Sequence, residues 1–385
     1  MTDLDIILSK KSVVVIDDDE LMLQLIKGYC LELGFAEVVS FTSVEPAWDA
    51  MKERETPFDF IISDWKMPGL GGVGFFNRVK VDKLYSKVPF LVVSGFLEQN
   101  DFILLEDYPL SSLLEKPFTK TLITKKIEGL INEQMWLEDN ETIIADIIKK
   151  YAENEDEANT KIVNSLKSSP SPVSFGIHLS KRLREQKMYK PAKTVIGWVV
   201  KKAPKSVMAM TECARIFKET GNLKEALDLI DFTNTISPDN IERLCMSGEI
   251  NLQLNQPEQA KEVFSKALKI DDKNVVAKAG SSISNNLEEH LLTHDSYNLP
   301  NSFAGVLNLL AIKKVKNGDY SEGMDQYDSA LVFISDPTTQ AKLKFNRGLG
   351  YLKWGKKEEA LDEFKESLQL GGDDFSRSQK FVNKI

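Results

Sequence analysis

Four short apolar runs each lead to a residue able to do chemistry. VVVI (13–16) is followed by Asp17, Asp18 and Asp19, and FDFIIS (58–63) by Asp64. VPFLVVS (88–94) ends on Ser94, and SSLLE (111–115) is followed by Lys116 and Pro117. If these runs are neighbouring strands, three or four acids, one hydroxyl and one ammonium converge on one rim. Carboxylates crowded within a few ångströms repel one another and need a cation to stay ionised. Oxygen-only ligands suit a hard ion, and Mg²⁺ keeps several waters while taking a few carboxylates. A metal beside one aspartate also prepares it for phosphoryl transfer. The ion and a lysine neutralise charge developing on the phosphoryl oxygens, and the carboxylate is the nucleophile.

The elements that must position these residues are legible in the same stretch. Continuous β-branched runs such as VVVI suit strands buried on both faces of a parallel sheet. Between the runs the pattern turns helical. In LMLQLIKGYCLELGF, Leu21, Leu25, Tyr29 and Leu33 fall on one face, and Gly34 is a stop signal. AEVVSF reads as a second strand, VEPAWDAMKERE as a helix with Pro46 near its first turn, GVGFFNRVK as another helix, and 97–106 as a helix of weak pattern. TKTLITKKIEGLINEQM closes the unit as an amphipathic helix. Five strands alternating with five helices predict an α/β fold, a doubly wound five-stranded parallel sheet. Ligands of such sheets bind beyond the carboxyl ends of the strands.

Four separated pieces, VVVIDDDE, FIISDWKMPG, LVVSG and LLEKPF, agree in order and spacing with one family. Residues 10 to about 133 resemble the CheY-like receiver domain of two-component response regulators, over about a third of the chain. The resemblance implies a flavodoxin-like strand order of 2-1-3-4-5. It implies that Asp64 accepts the phosphoryl group and that Asp17 and Asp18 bind Mg²⁺ together with the backbone carbonyl of Lys66. It further implies that Ser94 turns toward the phosphoryl group, that Lys116 contacts it, and that the Lys116–Pro117 bond is cis. Asp19 lies one position too late for the acidic pair and suits the cap of the first receiver helix. This chain departs from the family at Leu113, three residues before the lysine, where a Tyr or Phe often reports phosphorylation. Phe96 and Lys66 fall where the family admits hydrolytic water, and their bulk predicts slow loss of the phosphoryl group.

Beyond the receiver the composition becomes strongly charged, from 134 to 170. Ile143, Ile144, Ile147, Ile148 and Tyr151 form an apolar stripe at helical spacing, either a signalling or dimerising helix or a connector that packs on a neighbouring domain. KSSPSPVS (167–174) has the character of a linker. A repeat then begins. Ala192, Ala226 and Ala260 are 34 residues apart, as are Pro204 and Pro238. Gly221, Gly318 and Gly355 each stand five residues before a small residue, Ala226, Gly323 and Ala360. Phe264, Tyr327 and Phe364 stand four after one, and Gly248 and Gly348 stand 12 before Ala260 and Ala360. The frame resembles the tetratricopeptide repeat, a helix–turn–helix unit. Copies fall at about 173–206, 207–240, 241–274, 304–337 and 341–374, with 275–303 breaking the frame. The expected organisation is a receiver (1–133), a helical connector (134–170) and an all-α repeat superhelix (171–385). The repeat positions are structural, and function is expected on the concave face, which binds peptides or partner helices.

The 385-residue chain carries a net charge of −9, which argues against a broad patch for nucleic acid or anionic lipid. No apolar stretch approaches the length of a membrane helix. The opening MTDLDIILSKK is acidic first and too short in apolar run for a signal peptide. Cys30, Cys213 and Cys245 show no CxxC spacing and read as reduced packing residues of a cytoplasmic protein. His178, His290 and His294 make a poor metal set. The expected function is a non-enzymatic, bacterial response regulator. A histidine kinase or phosphotransfer protein phosphorylates it, and its repeats bind an unidentified protein partner, such as a sensor kinase or another regulator. The alternative is a transcriptional regulator acting through DNA or a DNA-bound partner, which a positive gel shift at moderate salt would favour. No DNA-binding helix-turn-helix region is evident after the receiver, and the repeats leave no residues for an output enzyme.

Overall fold

Alternate residues of each central strand face opposite sides, so each strand feeds two cores. In the computed structural model, Val13 and Val15 pack with Phe60, Ile62, Leu91 and Val93 on one side, while Val14 and Ile16 pack with Ile61, Phe90 and Val92 on the other. Strands β1 (Ser12–Ile16), β2 (Glu37–Phe41), β3 (Phe60–Asp64), β4 (Phe90–Ser94) and β5 (Ser111–Glu115) form one parallel sheet in the order β2-β1-β3-β4-β5. The expected α/β fold is present. The register sets Ile16 opposite Ser63, Asp64 opposite Val93, and Ser94 opposite Glu115, which aligns the strand ends that carry the acids. The structure describes residues 3–95, 98–290, 307–308, 311–332, 334, 337–371 and 376–384.

Helices α1 (Asp3–Leu8), α2 (Glu20–Glu32), α3 (Val44–Glu53), α4 (Gly71–Val81), α5 (Gln99–Glu106) and α6 (Lys120–Glu153) surround the sheet. Helix α1 was not legible in the sequence. Gly34 ends α2 with φ 95°, a conformation that costs glycine little. The α2 stripe needs a correction, because its buried face is Leu23, Ile26 and Cys30. Leu21 is 83% exposed and Leu25 40%, while Tyr29 and Leu33 pack at the edge of the core. Two adjacent stripes of α2 are apolar, and the sheet takes the other one.

Lys80 on α4 is buried, and its ammonium donates to the carbonyl oxygens of Val88, Pro109 and Leu110. Burial pulls its pKa down to about 7 against the opposing pull of Glu133. The folded value lies below the unfolded one, so between pH 7 and 10 the unfolded chain binds more protons and stability rises with pH. Lys80→Met will flatten that rise, by at most about 1.4 kcal/mol per pH unit. Urea midpoints of the two proteins from pH 7 to 9.5 check this, and parallel curves would contradict it.

The connector is continuous with the receiver. Helix α6 runs unbroken for 34 residues and passes through the expected boundary at 133/134. Its first part supplies Ile123, Ile127, Leu130 and Ile131 to the sheet core. Its second part supplies Ile144 and Ile147 to a separate core with Ile162 and Leu166 of α7 (Glu155–Ser168) and Phe175, Leu179 and Leu183 of α8 (Pro172–Glu185). The expected stripe therefore packs, with Ile143 left exposed. The linker-like KSSPSPVS shrinks to the turn 169–171, because Pro172 starts α8 where its missing N–H costs nothing.

Helix pairs α8 and α9 (Tyr189–Lys202), α10 (Val207–Glu219) and α11 (Leu223–Ile236), and α12 (Ile241–Gln253) and α13 (Pro257–Ile270) follow the 34-residue frame. Ala192, Ala226 and Ala260 are fully buried. The turn inside each pair has one residue at positive φ: Lys187 (60°), Gly221 (82°) and Asn255 (58°), each 34 from the next. Gly318 and Gly355 repeat it later, so the frame demands a left-handed residue even where the sequence offers Lys or Asn. The chain divides into two compact units, Met1–Ile250 and Asn251–Ile385. In the second, α14 (Val275–His290) places Gly280 where a side chain would meet the ring of Phe264. Helices Tyr320–Val332, Pro337–Trp354, Lys357–Gly371 and Ser376–Val382 follow, with Gly348 against Phe364 and Phe364 stacked on Phe381 at 4.9 Å. Phe264, Tyr327 and Phe364 are buried as expected. Much of 275–303, part of the copy at 304–337, Phe96, the side chain of His290 and all of His294 lie outside the described residues.

Candidate acidic site at the carboxyl rim of the sheet

The acids gather because parallel strands of equal register end together. Asp17 follows β1, Asp64 is the last residue of β3, Ser94 is the last of β4, and Lys116 follows β5. One carboxylate oxygen from each of Asp17, Asp18 and Asp64 lies within 4.8 Å of the others. Lys116 Nζ stands 2.8 Å from Asp17 Oδ2 and 3.5 Å from Asp64 Oδ2. Its backbone N–H donates to Ser94 O at 2.8 Å, which ties the lysine to the end of β4. The Lys116–Pro117 peptide is cis, as expected.

Local hydrogen bonds fix the carboxylates of Asp17 and Asp64. Asp17 Oδ1 accepts from the Asp19 N–H at 3.0 Å, and Asp64 Oδ1 accepts from the Trp65 N–H at 2.8 Å. Asp19 is the N-cap of α2, accepting from the N–H groups of Leu21 and Met22, as its position predicted. Asp17, Asp64 and Ser94 are buried, whereas Asp18 is exposed. Lys66 lies two residues beyond Asp64 with its side chain in solvent. Burial raises the pKa of Asp64, Lys116 lowers it and Asp17 raises it further. Three carboxylates against one ammonium leave two negative charges in a partly desolvated rim. A divalent cation with oxygen preference fits that donor set and that charge.

Sequence reasoning missed the support beneath Asp64. Gly72 at the start of α4 donates its N–H to Trp65 O at 2.9 Å. A Cβ at Gly72 would lie 2.4 Å from Trp65 Cα and 2.8 Å from Asp64 O. The signal was present in WKMPGLGG, where a glycine marks a close backbone approach. Leu113, standing where the family often has an aromatic residue, packs partly buried against the α3–α5 side of the sheet core.

Residues 13–128 match the response regulator receiver domain family. The chain carries a CheY-like receiver domain. The receiver is 27% identical to the chemotaxis protein CheY of Pseudomonas aeruginosa over 118 residues, which cover 31% of this chain and 94% of that protein. It is 24% identical to the chemotaxis protein CheY-3 of Vibrio cholerae over 128 residues, 33% of this chain and 97% of that one. A receiver domain structure from Clostridium thermocellum is 26% identical and covers 33% of this chain and 99% of its own, with a TM-score of 0.30. After the receiver, residues 241–274 match the tetratricopeptide repeat, coinciding with the third expected copy. A tetratricopeptide repeat structure from Parabacteroides merdae is 17% identical, covering 63% of this chain and 98% of its own at a TM-score of 0.35. The receiver marks a response regulator of a two-component system, and the repeats mark a protein-interaction output. Among the described residues no helix is long and apolar enough to cross a membrane.

Proposed function

We propose that this protein is a phosphorylation-controlled adaptor. A histidine kinase or phosphotransfer protein phosphorylates Asp64, and the repeats then bind or release a protein partner. The observation that carries this reading is the meeting of Asp17, Asp18, Asp64 and Lys116 on one rim. Asp17, Asp18, Asp64 and the carbonyl of Lys66 would hold Mg²⁺. When bound, the ion screens the carboxylates from one another and from the incoming phosphoryl oxygens.

A carboxylate oxygen of Asp64 attacks the phosphorus of the donor. The P–O bond to Asp64 forms as the bond to the donor's histidine nitrogen breaks, and that nitrogen keeps the electron pair. Lys116 shifts its ammonium from Asp17 and Asp64 to the transferred group. Ser94, at the end of the neighbouring strand, donates its hydroxyl to the same group. The added charge of about −1.5 to −2 biases a two-state receiver.

Asp17→Asn removes a buried anionic ligand while keeping shape. Its Mg²⁺ affinity, measured by calorimetry on the full chain, will fall about tenfold or more. Phosphoryl uptake from acetyl phosphate will fall with it. Unchanged Mg²⁺ affinity would remove Asp17 from the metal site, and uptake that is equal with and without Mg²⁺ would remove the metal from the reaction.

A further inference from the structure

The unit Met1–Ile250 contains a second meeting of charges that the phosphoryl chemistry does not use. Asp107 follows α5 directly and is its C-cap. Its Oδ2 accepts from Arg243 Nη1 at 2.6 Å, Ser237 Oγ at 2.6 Å and Asn240 Nδ2 at 3.4 Å. All three donors lie on or beside the turn between α11 and α12. The side chains of Arg243 and Asp107 are 1% and 2% exposed.

The donors are set by the repeats themselves. Arg243 Nε donates to Asn234 Oδ1 at 3.2 Å, and Nη2 donates to the carbonyl of Ser237. Asn240 Oδ1 accepts from the backbone N–H of Arg243 at 2.9 Å. The guanidinium is thus oriented before any acid arrives, with Nη1 turned to the carboxylate. A pre-oriented Arg with a hydroxyl and an amide aimed at one point is a built carboxylate pocket.

The receiver fills it with two residues. Beside Asp107, the Tyr108 ring packs edge-on against Phe76 of α4 at 5.4 Å, and its buried hydroxyl lies near the charges of Glu242, Arg243 and Arg215. Asn77 of α4 closes the contact, donating to Asp239 O at 3.0 Å and accepting from the Ile241 N–H at 3.0 Å.

We infer that Arg243, Ser237 and Asn240 form a recognition pocket for a partner segment bearing an acidic residue followed by an aromatic one, and that Asp107–Tyr108 occupies it as an internal ligand. Receiver docking and partner binding then exclude each other. The inference rests on the phosphorylation reading for its control. Helix α5 is the element that leads from the Ser94 end of β4 to Asp107. The contact is complete in the unmodified chain, so displacement of α5 lengthens its bonds and frees the pocket. Asp107 Oδ1 and the Tyr108 hydroxyl are buried without hydrogen-bond partners among the described residues, which weakens the closed state.

The probe is a labelled synthetic peptide of residues 104–111, LLEDYPLS, titrated with the full chain. Asp107→Asn, which empties the pocket of its internal charge, will bind it at least about tenfold more tightly than wild type. Adding Ser237→Ala or Arg243→Lys to that variant will remove the gain, with circular dichroism confirming that each folds. A peptide carrying Asn in place of the aspartate will bind none of them. Equal affinity for wild type and Asp107→Asn, or a gain that survives Arg243→Lys, would overturn the pocket. Phosphorylated wild type will bind like Asp107→Asn. If uptake at Asp64 is verified and peptide affinity does not change, the phosphoryl control is overturned while the reading of Asp64 stands. If no uptake occurs, the reading of Asp64 fails and that control fails with it.

Discussion

Asp64→Asn will take up no phosphoryl group from any donor and will keep the fold of the receiver. The substitution keeps side-chain volume and the hydrogen bond from the Trp65 N–H, so the β3 end stays in place. It removes the proposed nucleophile. Neighbouring carboxylates do not substitute, because Asp17 is engaged by Lys116 and by the Asp19 N–H, and Asp18 stands in solvent. The loss relative to wild type will exceed about a hundredfold, since a covalent step has no partial form. Burial raises the pKa of Asp64, which disfavours its anion, so a neutral amide there is no burden on stability. Thermal unfolding equal to or above that of wild type, with uptake abolished, is the expected pair of results. Retained uptake would place the acceptor elsewhere.

Gly72→Ala will damage the same site from below. A methyl group there meets backbone atoms of Asp64 and Trp65, and backbone cannot swing aside as a side-chain end can. Either α4 retreats from the sheet or the end of β3 shifts. Retreat disturbs Phe75 and Phe76, both fully buried in the core under α4. Shift moves the Asp64 carboxylate away from Lys116. The expected cost is about 3 kcal/mol of receiver stability, at the upper end of overpacking effects. Phosphoryl uptake per folded molecule will also slow severalfold. Chemical denaturation and uptake kinetics on the same preparation check both. A variant as stable as wild type with normal uptake would show that the rim tolerates a displacement that its close contacts oppose.

The sequence carried the parts of the fold that rest on local pattern. Buried β-branched runs, helical spacing and the residues just past each strand located the sheet and its rim, because parallel strands in register end at one edge. The repeat frame was legible because one packing problem recurs every 34 residues. Besides α1 and the Gly72 contact, three features escaped for physical reasons. The continuity of α6 across 133 was hidden by a change in composition, although nothing between Lys120 and Glu153 breaks a helix. The buried face of α2 was misassigned because Leu21 and Leu25 are as apolar as Leu23 and Ile26. The Asp107–Arg243 pair spans 136 residues, and neither partner carries a local signal that it is buried. Charged residues are expected at the surface unless paired, and pairing at that distance is a property of the fold.

Asp64 is proposed as a phosphoryl acceptor served by a metal and Lys116. The direct measurement is mass spectrometry of the full chain after incubation with acetyl phosphate and Mg²⁺, followed by mapping of the modified peptide. The expected result is the added mass of one phosphoryl group on the peptide containing FDFIISDWKMPGLGG, lost when Mg²⁺ is chelated and absent from Asp64→Asn. An unmodified chain, or the same modification found on Asp64→Asn, would contradict it.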